Sequence, residues 1–186
     1  MPFRSSKTSV TKRGPKKNLR PDERFTITEI TRGCQPIKPL RTKKAFTAQC
    51  RILVKDMIPI SIELWIQPKD EELQVSFVED RQKDDLWRAL KVNFTLPEEE
   101  NPENPIMEPM VKSFAFKKMA DLFRRWKNEL KAKFVDKNKT PESVGRFEKL
   151  RDQWDAFVAN KTSECSKKMS AKNKINAANK EHHHHT

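Results

Sequence analysis

The sequence is short of the residues from which most catalytic sites are built. Its three glycines stand in no G-x-G-x-x-G or P-loop context, so the chain has no glycine-rich loop that could cradle a phosphate. All four histidines are bunched at 182–185, which leaves the rest of the chain without a histidine base. Asp121, Asp136, Asp152 and Asp155 stand among basic residues, where ordinary ion pairing explains them. We therefore predict no catalytic residues, no cofactor and no metal site.

Cysteine and long apolar runs are equally scarce. The three cysteines, Cys34, Cys50 and Cys165, are widely spaced and form no C-x-x-C pair. This argues against a disulfide framework or a zinc finger and fits a reducing compartment. No apolar run approaches the ~20 residues that a membrane span needs, and the N-terminus lacks the apolar segment of a signal peptide. We expect a soluble, intracellular protein without a membrane partner.

Charge is abundant, and its excess lies at the two ends of the chain. The net charge is +13, and 35% of the residues are charged. Residues 1–20 carry seven Lys or Arg and no acid, whereas residues 56–110 carry 14 acids and five bases. Residues 111–160 are basic again, with 13 bases and seven acids. Such an uneven distribution favours contact with a polyanion.

Residues 113–158 carry the clearest helical pattern of the sequence. Apolar residues recur there at steps of three and four, which is typical of amphipathic helices. Thr140 can cap the second helix, and Pro141 suits its first turn. We predict a helical pair over 113–160, in which Trp126 packs near Trp154.

The N-terminal half is predicted to be a small α+β segment over 23–96. RFTITEI (24–30) and LQVSFV (73–78) read as strands, and 80–94 reads as a helix. Residues 43–55 fit either type, and the length without glycine or proline favours a helix. MIPISIELWI (57–66) fits a strand, or a turn in which Ser61 caps a short helix.

Three further segments are predicted to carry little stable structure. Residues 1–22 should form a disordered basic tail, and 97–112 a linker rich in proline and acid. Residues 161–186 are basic and rich in asparagine, and without an apolar face they should fray or fold only on binding. The fold class is therefore mainly α with a minor β element, a small helical domain with disordered basic tails.

Phosphate binding is the best-supported chemistry in the sequence. Lys117, Arg124 and Lys131 recur every seven residues along the first helix of the pair, and Lys127 stands beside them. The tail adds further bases, and neither group includes a motif that reads base edges. The candidate nucleic-acid-binding residues are Lys12, Arg13, Lys16, Lys17, Arg20, Lys117, Arg124, Lys127 and Lys131. The alternative is that these residues form only the solvated face of an ordinary helix.

The run His182–His185 has three interpretations. It is part of a purification tag, a loose metal-binding stretch, or native sequence cut at a fragment boundary. Adjacent imidazoles are poorly placed to satisfy one tetrahedral ion.

Several motifs occur in order over residues 11–186. They are TKRGPKK, the CQP loop, VKDMIPISIELW, DDLWRALKVNFTLPEE, KKMADLFRRWKNELKAKFV, KLRDQWDAFVANKTSE and a Lys/Asn segment ending in HHHHT. In this order and spacing the chain resembles the characteristic region of plant transposon proteins of the Ptta/En/Spm (CACTA) class. It departs from them at Lys16, where the family often has Thr, and at Asn176-Ala177, where the family often has Asn-Arg.

The resemblance implies a nuclear protein derived from a transposon, and it implies that Thr186 is a truncation point. It supplies no mechanism, because the catalytic carboxylate domain of such elements is not visible in this sequence. Our expectation is an accessory module that binds or tethers DNA without a catalytic site of its own. The alternative is a module for oligomerisation or for binding another transposon-encoded protein, since stripes of Trp and Phe also mediate assembly.

Overall fold

The computed structural model describes residues 24–69, 75–96, 107–142 and 145–178. Helices dominate and strands are short, which confirms a mainly α fold with a minor β element. The helices are α1 (Leu40–Met57), α2 (Asp80–Lys91), α3 (Met107–Lys133), α4 (Trp154–Thr162) and α5 (Glu164–Ala178). The strands are β1 (Phe25–Thr26), β2 (Glu29–Ile30), β3 (Pro36–Lys38) and β4 (Phe94–Thr95). The 3₁₀ helices Val135–Lys137 and Gly145–Gln153 lie between α3 and α4. The predicted tail 1–22 lies outside the described residues.

The predicted strand 24–30 divides into two pieces that belong to different sheets. β1 pairs in parallel with β4, and β2 pairs antiparallel with β3. Ile27, between the two pieces, is fully buried in the core. The alternation of apolar and polar residues was therefore read correctly, but the strand breaks where the backbone passes from one partner to the other.

α1 and α2 lie where the spacing of apolar residues predicts helices. α1 buries Phe46, Cys50 and Val54 at steps of four, and α2 buries Leu86 and Leu90. At the start of α2, the backbone N–H of Glu79 donates to the Gln82 side chain at 3.0 Å. That bond satisfies a donor that the helix itself leaves unpaired.

α3 begins at Met107, inside the segment that was predicted to be a linker. The linker prediction for 97–112 is thus wrong from residue 107 onward, and 97–106 lie outside the described residues. Pro109 does not prevent the helix, because it stands in the first turn, where no helical hydrogen bond is lost. Glu108 also favours this start: it accepts hydrogen bonds from Trp87 Nε1 at 3.0 Å and from Lys91 Nζ at 2.8 Å, which fixes the first turn against α2.

The second helix of the predicted pair is a 3₁₀ helix of nine residues followed by α4, also of nine residues. With three residues per turn, a 3₁₀ helix aligns Phe147, Leu150 and Gln153 on one side. Leu150 is buried, and Gln153 Oε1 accepts a hydrogen bond of 2.7 Å from the backbone N–H of Ile60. A regular α-helix would rotate Gln153 away from that alignment.

The predicted segments 23–96 and 113–160 share one hydrophobic core. Its buried residues run from Ile27 to Phe157 and include both Trp126 and Trp154. The ring of Trp154 packs against Phe134 at 5.9 Å and Phe157 at 5.4 Å, while the ammonium of Lys55 lies 5.7 Å from the Trp126 ring. The two tryptophans are therefore core residues, as predicted, and direct packing of Trp126 on Trp154 stays a prediction.

Residues 58–66 follow neither of the two predicted forms, a strand or a short helix. They form an irregular segment whose only pairing within the described chain is a bridge between Leu64 and Phe77. Side chains from distant helices satisfy two further backbone groups: Gln153 accepts from the Ile60 N–H, and Asn160 Nδ2 donates to the Ser61 carbonyl at 2.9 Å. These bonds tie the irregular segment to the second 3₁₀ helix and to α4.

α5 is a formed helix, contrary to the expectation that residues after 161 fray. Ser163 explains its start, because its hydroxyl oxygen accepts a hydrogen bond of 3.2 Å from the backbone N–H of Ser166. Lys167 and Glu164 add an ion pair of 3.0 Å across the first turn. The cap and the ion pair therefore explain why α5 begins at Glu164.

Candidate nucleic-acid interface

The outward face of α3 carries Lys117, Arg124 and Lys131, which we call the basic stripe. Seven residues are almost two helical turns, so successive members lie about 10.5 Å apart along the helix axis. Lys117 is exposed, and the side chain of Arg124 is 72% exposed. Arg125, also exposed, widens the stripe on one side. The structure thus brings three of the predicted residues together on one accessible surface.

Two members of the basic stripe form ion pairs with neighbouring carboxylates. Arg124 Nη2 lies 2.7 Å from Asp121 Oδ1, and Lys131 Nζ lies 2.6 Å from Asp136 Oδ1. This confirms the ion-pairing interpretation of these two aspartates. Because such exposed pairs contribute only about 0–1 kcal/mol, a phosphate group can replace the carboxylate as the partner of either cation.

Lys127 does not belong to this surface, and its prediction as a phosphate contact is corrected. Its exposed fraction is 4%, and it lies on the flank of α3 that faces the irregular segment. The ammonium donates to the backbone carbonyl of Ile62 and, at 3.2 Å, to that of Glu63. It also lies 4.8 Å from the centre of the Phe123 ring. Lys127 therefore binds part of its own chain.

Burial changes the acid–base behaviour of Lys127. Removal from water, together with the nearby charge of Lys161, lowers its pKa from 10.5 to about 7, and Glu63 opposes the shift. Lys161, in α4, is itself half-buried, and burial followed by the charge of Lys131 lowers its pKa. Lys127, Lys131 and Lys161 thus converge where α4 meets the end of the basic stripe.

α5 also carries positive charge and was missed in the prediction of site residues. Lys167, Lys168, Lys172 and Lys174 are exposed on it. The only acid between Glu164 and Ala178 is Glu164, which pairs with Lys167. The sequence held a signal for this helix in Ser163, a good N-cap residue directly before the lysine-rich stretch.

The remaining predicted residues, Lys12, Arg13, Lys16, Lys17 and Arg20, lie outside the described residues. Their role in phosphate binding stays a prediction. The run His182–His185 also lies outside the described residues, so its three interpretations stay open.

Little else in the described chain offers chemistry. No group of three His, Cys, Asp or Glu within it is arranged to hold a metal ion. Cys50 is buried, and burial raises the pKa of its thiol to about 12, so it remains protonated at neutral pH. Cys34 is half-buried in the turn before β3.

Comparisons with known proteins give no further guidance. No family model matches the chain, and neither a curated protein nor a solved structure does. Across the described residues, no helix combines the length and apolar character needed to cross a membrane.

Proposed function

We propose that this protein is an accessory DNA-binding module that contacts duplex DNA through its phosphates and has no catalytic site of its own. The observation that carries the proposal is the basic stripe, three accessible cations at regular intervals on the outward face of α3. The lysines of α5 and the basic residues 1–20 extend the positive charge beyond it. The resemblance to plant transposon proteins supports placing this activity in the nucleus, on a protein encoded by such an element.

The binding mode follows from the kind of side chains that are present. The ammonium groups of lysine and the guanidinium groups of arginine neutralise phosphates and release the counterions that surround DNA. Such contacts position a protein on the duplex but carry no sequence information. We therefore expect binding with little sequence preference, which suits tethering better than target recognition.

The test is a salt titration of binding to duplex DNA. Each real phosphate contact contributes about 0.9 to the slope of log affinity against log salt. Replacing Lys117, Arg124 and Lys131 by glutamine should lower that slope by up to about 2.7. Deleting residues 1–20 removes up to seven further contacts.

The matched control replaces three exposed bases elsewhere, Arg32, Lys44 and Arg51, by glutamine. It changes the net charge by the same amount and leaves the basic stripe intact, so the slope should stay near that of the unmodified protein. Equal losses in both triple variants would show that overall charge, and not the stripe, governs binding. Absence of any salt-dependent binding would refute the proposed function.

Self-association is the second candidate, because one groove of the protein suits another copy of this chain. The groove has a volume of about 790 Å³ and an apolar floor that includes Trp126, Leu130 and Phe134, with Ile52 half exposed at its edge. Its lining carries both charge signs: it includes Lys55, Lys133, Lys137 and Lys149 as well as Asp56, Glu129 and Glu148. A rim of mixed sign is complementary to itself across a two-fold axis.

Sedimentation equilibrium tests for this dimer. An Ile52→Glu substitution should convert a dimer to monomers, and a monomeric unmodified protein rules the dimer out.

A further inference from the structure

A second cavity lies beside the N-terminal half of α3, apart from the groove described above. Its volume is about 470 Å³, within the range of about 300–1,000 Å³ that is usual for ligand pockets. Its walls come from α3, from the start of α2 and from the irregular segment. It is lined by Trp65, Ile66, Lys83, Pro109, Lys112, Ser113, Phe116, Lys117 and Ala120. We call it the Trp65 pocket.

The floor of the Trp65 pocket is apolar and partly open to solvent. Ile66 is 69% exposed, and Trp65 is half-buried. Trp65 is held in place by the Phe123 ring, 6.1 Å away, and by the hydrogen bonds that fix the irregular segment. A large aromatic side chain that is positioned but incompletely covered offers a surface on which a planar group can stack.

The polar groups of the pocket are almost all cationic. Lys83, Lys112 and Lys117 line it from two helices, and no carboxylate is among its described lining residues. Lys83 forms an ion pair with Asp80 and Lys112 with Asp84, each with an N–O distance of 2.8 Å. Neither acid lines the pocket. Residues 70–72, which are acidic, lie outside the described part of the chain.

We infer that the Trp65 pocket binds an unpaired base of a single-stranded nucleic acid. The base stacks on Trp65, and the flanking phosphates contact the three ammonium groups. An aromatic ring surrounded by cations is the combination that single-strand-binding proteins use. Lys117 belongs to both the pocket and the basic stripe, so a strand that leaves the pocket continues along α3 towards Arg124.

This inference rests on the proposed nucleic-acid binding and adds to it a preference for DNA that contains unpaired bases. In a duplex each base is covered by its neighbours in the stack, so its face cannot lie on Trp65 unless the duplex opens. The stripe and α5 meet phosphates of either form of DNA, whereas the pocket takes only an unpaired base. A protein of this kind would hold a partly opened DNA end or a displaced strand.

The experiment compares two labelled DNAs, an oligothymidylate of 15 residues and a 15-base-pair duplex, by fluorescence anisotropy at fixed salt. Trp65→Leu removes the aromatic face but keeps an apolar contact for Phe123. Stacking of one base is worth about 1–3 kcal/mol, so affinity for the single strand should fall roughly 5- to 150-fold. Affinity for the duplex should stay within twofold. The control, Val92→Ala, alters an exposed apolar residue outside the pocket and should change neither.

A second variant guards against misfolding of Trp65→Leu. Ser113 is an exposed helical position that lines the same pocket as the three lysines, and Ser113→Glu adds a carboxylate there without disturbing the core. It should weaken binding of the single strand more than binding of the duplex. Circular dichroism and urea unfolding confirm that each variant is folded.

The possible outcomes separate this inference from the proposed function. Equal weakening of both DNAs by the two variants would show that the pocket is only part of the phosphate surface, and unchanged single-strand binding would show that the base lies elsewhere. Either result overturns the inference but leaves the duplex salt slope as evidence for DNA binding. If an acidic peptide containing aromatic residues binds, and only its binding is lost in Ser113→Glu, the pocket takes a protein partner and the inference is likewise overturned.

Discussion

Lys127 should make the stability of the protein rise with pH between pH 7 and 9. In the unfolded chain its pKa is the ordinary 10.5, and in the folded chain burial lowers the pKa to about 7. Between these two values the unfolded state binds more protons than the folded state. Stability therefore increases as pH rises through this window, and the cost of the buried charge is greatest below pH 7.

The size of the effect follows from the width of that window. Each pH unit across it is worth at most about 1.4 kcal/mol. From pH 7 to pH 9 the free energy of unfolding should rise by about 2 kcal/mol from Lys127 alone. The carbonyls of Ile62 and Glu63 favour the charged ammonium, so this figure is an upper bound.

Other groups titrate nearby, and a substitution separates their contributions. Lys161, whose pKa is also lowered, adds a change of the same sign. Cys50 has the opposite effect above pH 9, because its pKa is raised from 9.0 to about 12 and the unfolded thiol ionises first. We therefore restrict the measurement to pH 7–9 and compare the protein with Lys127→Met, which keeps the length of the side chain but cannot ionise.

The assay is urea unfolding followed by circular dichroism at several pH values. With a typical dependence of about 2 kcal/mol per molar urea, the unfolding midpoint of the unmodified protein should rise by about 1 M from pH 7 to pH 9. The midpoint of Lys127→Met should rise by clearly less. Parallel pH profiles for the two proteins would refute the assignment of a neutralised, buried Lys127.

Two further predictions concern the core. Trp126→Ala should lower the free energy of unfolding by about 3–5 kcal/mol, as large-to-small core substitutions do. The control is Val92→Ala at an exposed position. An unchanged unfolding midpoint for Trp126→Ala would contradict a core role for Trp126. Iodoacetamide at pH 8 should alkylate Cys34 in the folded protein and leave Cys50 unmodified until urea is added, as followed by peptide mass mapping; equal rates would show that Cys50 is accessible.

Much of the helical architecture could be predicted because it is encoded locally. In α1 the apolar residues Phe46, Cys50 and Val54 recur at steps that place them on one side of a helix, and the same side is buried. α2 follows the same rule. The six added residues at the start of α3, nearly two turns, depend instead on Glu108 meeting Trp87 and Lys91, a contact between distant parts of the chain that periodicity does not contain.

The site residues show the same division. Lys117 and Lys127 have the same side chain and lie in the same helix, α3, and they differ in their angular position around the helix axis. Lys127 borders the apolar face, but its burial depends on carbonyl groups of Ile62 and Glu63, whose location no local pattern gives. The Trp65 pocket could not be predicted for a related reason, since Trp65 and Phe116 are far apart in sequence and meet only through the irregular segment.

The irregular segment also has a consequence for the order in which the chain can fold. Its backbone groups at Ile60 and Ser61 are hydrogen-bonded by Gln153 and Asn160, which follow them by 93 and 99 residues. Contacts so distant in sequence form late, because a long loop must close before they exist. During synthesis the nascent chain can complete α1 and α2 early, while this segment stays hydrated until α4 has left the ribosome. Trp65 can meet Phe123 of α3 before that point, but a ribosome that stalls before residue 153 leaves the Ile60 N–H without its Gln153 partner.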